Sequence, residues 1–113
     1  VLGGVLRAGY DDPAANVTAD LVRRRVAEAW GVSSEALQSP KRTKNLTVPR
    51  QVAMYLIKDL FDLSLVEIGR LFGGRDHSTV IHSVAKVEED LKTDTTLSQR
   101  VEAIRQQLQR GSR

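Results

Sequence analysis

The sequence predicts an all-α fold, a small helical bundle holding a helix–turn–helix. Three observations lead there. Apolar residues recur at three- and four-residue spacing along most of the chain. No segment shows the period-two alternation of a half-buried strand. Ser, Thr or Asp precedes the apolar runs and Gly follows several of them, which is how helices start and stop.

Residues 1–16 stand apart. Gly9, Tyr10, Asp11, Asp12 and Pro13 are turn-like, so the stretch reads as a linker or the remnant of a preceding domain. The first residue is Val, which suggests a processed chain or a fragment. Helical periodicity then begins behind Thr18, a good N-cap, with Leu21, Val22, Val26, Ala29 and Trp30 on one stripe and Gly31 as the stop. Ser33, Ser34 and Glu35 open a short helical turn that ends before Pro40. Residues 41–46 read as a polar, basic loop. A longer helix follows over about 48–61, with Pro49 tolerated in its first turn and Val52, Ala53, Leu56, Ile57 and Leu60 buried.

Ser64 and Glu67 form a capping box for a short helix carrying Leu65, Ile68, Leu71 and Phe72. Gly73 and Gly74 end it. Asp76 can cap the next helix, about 77–92, whose apolar face is Val80, Val84, Val87 and Leu91. Opposite that face, Thr79, Ser83 and Lys86 share a polar side. After a polar break at Thr93, Asp94 and Thr95 a last helix carries Leu97, Val101, Ile104 and Leu108, and 111–113 should fray. The domain therefore runs over 17–110.

Composition narrows the chemistry. A chain of 113 residues suits one domain with one modest core. Its 41% apolar content is too high for compositional disorder. The chain has no cysteine, which excludes disulfides, thiol catalysis and cysteine-based zinc sites and suits a reducing cytoplasm. No apolar run reaches membrane-spanning length, and no membrane partner is expected. A net charge of +3 is weak evidence of a nucleic-acid partner. Its distribution says more: Lys41, Arg42, Lys44, Arg50 and Lys58 fall close together, a second run is Arg23, Arg24 and Arg25, and acids collect at Glu88, Glu89 and Asp90. One part of the surface should be distinctly positive.

Two helices around a tight Gly-containing turn make a helix–turn–helix, whose second helix presents its first residues to base edges in the major groove. Asp76, His77, Ser78 and Thr79 are the short polar groups such a position needs. The same residues also serve as an N-cap and first turn in an ordinary helical bundle, so the pattern alone leaves both readings open.

The run Gly73-Gly74-Arg75-Asp76-His77-Ser78-Thr79-Val80-Ile81-His82 resembles the signature of the C-terminal DNA-binding domain of the DnaA family of bacterial replication initiators. The resemblance extends upstream through Pro49-Arg50-Gln51-Val52-Ala53-Met54-Tyr55-Leu56 and Leu63-Ser64-Leu65-Val66-Glu67-Ile68-Gly69, and covers about 17–108. It implies a Trp-repressor-like helical fold, and double-stranded DNA as partner through an asymmetric box in the replication origin. Asp76, His77, Ser78 and Thr79 take the family's major-groove positions, with Ser78 where Thr is usual. Leu65 and Val66 take the positions of apolar base contacts, with Val66 where Pro is common. Arg42 takes the minor-groove arginine. Lys44, Arg50, Gln51, Lys58 and Arg75 take phosphate-contacting positions, and Val48 stands where many members carry a basic residue.

The family's ATPase module is not in this chain, which lacks a G-x-x-x-x-G-K-[ST] loop. No enzyme activity, cofactor or metal is expected, since His77 and His82 are five residues apart and do not share a helix face. An isolated domain of this kind is expected to be a monomer. Two other readings remain: a stand-alone regulator or transposase-associated module built on the same domain, and a helical protein-interaction module with no DNA role.

Overall fold

A computed structural model describes residues 18–39, 44–61 and 63–111. The stretch 1–16 and Arg42 lie outside the described residues, as do Lys41 and the last two positions. Among the described residues every regular element is a helix: α1 Ala19–Trp30, α2 Ser34–Gln38, α3 Lys44–Leu60, α4 Leu65–Leu71, α5 His77–Thr93 and α6 Thr95–Gly111.

Helix ends follow the caps written in the sequence. The Thr18 hydroxyl accepts from the Leu21 amide at 3.1 Å, and Ser33 accepts from Ala36 at 3.1 Å. Gly31 closes α1 in the left-handed region, and the Val32 amide reaches back to the Ala27 carbonyl at 2.9 Å. The Ser64–Glu67 box is complete, with Ser64 N donating to Glu67 at 3.0 Å and Glu67 N donating to Ser64 at 3.1 Å. Asp94 caps α6 by accepting from the Leu97 amide at 3.0 Å.

Helix α3 is the central element. It packs on α1, α2, α4 and α5, and Val52, Ala53, Met54, Leu56 and Ile57 are fully buried along it. Val22, Val26, Leu37, Ile68, Phe72 and Val80 converge on it from four other helices. Val101, Ile104 and Leu108 of α6 close the same core, with Leu97 packed against its edge.

The structure corrects three local expectations. Helix α3 starts at Lys44, four residues before the expected 48, so residues 44–46 are helix and not loop. The cause is burial: Leu46, Pro49, Arg50 and Ala53 follow the i, i+3, i+4, i+7 spacing of one helical stripe, and all four are buried. Pro49 therefore sits beyond the first turn, where its missing N–H leaves one carbonyl of the turn before it without a helical partner. On α1, Ala27 is buried and Ala29 exposed, because the buried stripe turns through Val22, Arg23, Val26 and Ala27. On α5, Ser83 is buried with Val80, Val84 and Val87 and does not share the polar side of Thr79 and Lys86.

Candidate nucleic-acid interface

The α4–α5 pair is joined by a turn that only glycine fits. Gly73 and Gly74 take φ of 85° and 79°. The Gly69 carbonyl accepts from the amides of Phe72, Gly74 and Arg75 at 3.0–3.1 Å. A side chain at Gly69 would stand 2.0 Å from the Arg75 carbonyl oxygen, so the turn folds directly over α4.

At the head of α5, Asp76 accepts from the Thr79 amide at 2.9 Å. This bond, with the smaller effect of neighbouring His77, holds the carboxyl below its ordinary range. Asp76 is itself exposed, and a carboxylate has more acceptor sites than the one this bond uses. His77, Ser78 and Thr79 are exposed, while Val80 is sealed in the core one residue later. The first turn of α5 thus shows polar groups to solvent from a helix whose far side is fixed by packing.

The outward face does not stop at Thr79. Ser78, His82, Ala85 and Glu89 recur at helical spacing and are all exposed, with Ile81 beside them at 45% exposure. Neither His82 nor Ile81 is among the contacts the sequence predicts. The four-residue step from Ser78 to His82 was the signal that could have found the first. On α4, Leu65 is half-buried against the core and Val66 is 49% exposed, so Val66 is the more available apolar side chain at that end.

Lys44, Gln51 and Lys58 lie seven residues apart and so share one line along α3. Gln51 is half-buried and Lys58 exposed. Arg50 lies elsewhere. Only 5% exposed, it donates through Nε to Leu37 O at 2.8 Å and through Nη2 to Ala36 O at 3.2 Å and Ser39 O at 2.9 Å. Burial, and then the charge of Arg75, hold this guanidinium below its ordinary pKa. Arg50 thus braces the C-terminus of α2 with most of its side chain inside the fold. Arg75 is half-buried and donates from Nη2 to the same Ser39 carbonyl at 2.7 Å.

The expected second basic run also dissolves. Arg23 is 9% exposed, donating to Leu71 O at 2.6 Å and Asp20 at 3.1 Å beside the Phe72 ring. Arg24 pairs with Asp20 and Arg25 with Glu28. No group of three His, Cys, Asp or Glu that could hold a metal occurs among the described residues. Nor is any described helix long and apolar enough to cross a membrane.

The family profile described as "Bacterial dnaA protein helix-turn-helix" matches residues 19–87. The chain is 54% identical over 88 residues to a chromosomal replication initiator protein DnaA of Rhodopseudomonas palustris (strain TIE-1), covering 78% of this chain and 19% of that protein. It is 45% identical over 92 residues to the protein of the same name from Herpetosiphon aurantiacus, covering 81% and 20%. It therefore spans about a fifth of the length of these relatives. A solved structure titled as that of a DNA replication initiation factor superposes with a TM-score of 0.70 at 32% identity, over 95% of this chain and 31% of that one.

Proposed function

We propose, from the premise that the chain belongs to the bacterial DnaA helix–turn–helix family, that it binds double-stranded DNA sequence-specifically at DnaA boxes. It would serve there as the DNA-recognition module of a chromosomal replication initiator. The observation that carries this reading is the exposed first turn of α5, where His77, Ser78 and Thr79 follow a capping Asp76 on a helix anchored by Val80.

In this reading α5 enters the major groove. The Asp76 carboxylate accepts from a cytosine amino group, and His77, Ser78 and Thr79 meet neighbouring base edges and phosphates. Leu65 and Val66 add apolar contact with the bases. Arg42 enters the adjacent minor groove, where a narrow A·T-rich stretch concentrates negative potential. Lys44, Gln51, Lys58 and Arg75 contact phosphates and so position the domain without reading sequence. Arg50 stands with them on the resemblance, and also braces the end of α2.

The chain acts in the cytoplasm on the nucleoid, as a monomer on an asymmetric box, and carries no catalytic step of its own. Residues 1–16 are a linker or the remnant of a preceding domain, and the DNA-binding unit is 17–110. A binding titration against a DnaA box and its single-base variants tests the reading. Substitutions within the box should each cost about 1–3 kcal/mol. A flat profile across the variants would contradict it.

A further inference from the structure

Large apolar side chains left exposed are few. Among the described residues Val48, Val66 and Ile81 stand out, at 42%, 49% and 45% exposure. Val66 lies at the head of α4 and has a place in the reading above. Ile81 lies on α5, one turn beyond His77, and has none. The core does not require it, because Val80, Ser83, Val84 and Val87 form the buried side of α5. The helix does not require it either, since Ile is a poorer helix former than Ala, Leu or Lys.

Its position on α5 points to one ligand. His77, Ile81 and Glu88 fall on one line of helical spacing, and all three are exposed. The chain has no acidic residue between Asp76 and Glu88. Beyond that point Glu88 and Glu89 are exposed acids, and Lys86 is paired with Asp90 at 2.8 Å. Duplex phosphates repel such an end, so the N-terminal half of α5 is the part that suits a groove. Ile81 belongs to that half. It stands about 6 Å along the helix axis from His77, which is roughly two base-pair steps. The base edges of a major groove carry donors, acceptors and the thymine C5-methyl. An isoleucine set against a donor or acceptor desolvates it and returns no hydrogen bond. Against the methyl it buries apolar surface on both sides.

We propose that Ile81 is a specificity-determining residue, packing on the C5-methyl of one thymine in the major groove, roughly two base pairs from the contact of His77. It favours thymine over cytosine at that position, because cytosine has no methyl and presents an amino group instead. This inference rests on the reading of α5 as the helix that enters the major groove.

The test replaces each thymine of a DnaA box in turn by deoxyuridine, which removes the methyl and leaves base pairing intact. Affinity at fixed salt is measured for the parent chain, Ile81→Ala and Val66→Ala. Loss of the methyl that Ile81 covers should weaken the parent chain by about 4-fold. In Ile81→Ala the penalty at that one thymine should fall below about 1.5-fold, while penalties at other thymines keep their parent values. In Val66→Ala the Ile81 thymine should stay fully sensitive. A merely structural role for Ile81 would weaken every duplex alike and erase no single penalty. Ile81→Ala leaves the core intact and introduces a better helix former, so folding survives the change. An unchanged set of penalties in Ile81→Ala overturns the inference, as does a parent chain indifferent to every replacement. If the parent chain binds box and scrambled duplex equally, the major-groove reading itself fails, a result visible with Ile81 intact.

Discussion

His77 separates recognition from stability. It is exposed on the first turn of α5, so its removal leaves the core untouched. His77→Ala should weaken box binding by about 1–3 kcal/mol with an unchanged melting temperature; calorimetric titration beside a thermal melt checks both. Asp76 combines the two roles, since it caps α5 as well as facing outward. Asn is an equally good N-cap but presents an amide. Asp76→Asn should therefore keep most of the cap's contribution to stability and alter base preference at one box position. The arginines show where sequence stops being informative. Arg50 and Arg23 look like surface charges in a basic run, yet both are buried on carbonyl groups of residues 13 and 48 positions away, respectively. No local pattern records a pairing that only the tertiary fold brings about.

Among the elements, the turn between α4 and α5 is the most constrained. Gly74 has open space around its missing Cβ and is limited only by its φ of +79°, whereas Gly69 would drive a Cβ to 2.0 Å from backbone. Gly74→Ala should cost about 1–3 kcal/mol, and Gly69→Ala more, because the turn itself must shift. Denaturant unfolding of the two variants checks the order. Both helices of the motif also depend on carboxylate caps. Hydrogen bonds from Ser64 depress the Glu67 pKa, and those from Thr79 depress that of Asp76. A depressed folded pKa gives stability that is present above the ordinary carboxylate range and is lost as pH falls from that range through the lower folded pKa. Melting temperature should thus decline on acidification through that range, and the Glu67→Gln, Asp76→Asn double variant should decline less steeply. These caps were legible in the sequence because they act over three residues. The start of α3 was not, because Leu46 becomes helical by packing into a core assembled from distant segments.

For the whole molecule, the family profile ends at residue 87, but the fold does not. Val101, Ile104 and Leu108 of α6 are buried in the common core. Arg105 joins Asp59 of α3, and Arg100 lies 4.8 Å over the Trp30 ring. Ile104→Ala should cost about 2–5 kcal/mol of stability, read by denaturant unfolding, although α6 holds none of the proposed DNA contacts. The all-α class, the element order and the apolar faces of α5 and α6 were all readable from helical spacing. What could not be read was which charges remain on the surface once the helices pack.

Sequence-specific recognition by the head of α5 can be read in a competition titration of this chain at physiological salt. Fluorescent duplex carrying a DnaA box is displaced by unlabelled box or by a scrambled duplex of the same composition. The box should compete at least about 10³-fold better. Equal competition by the two duplexes would contradict it.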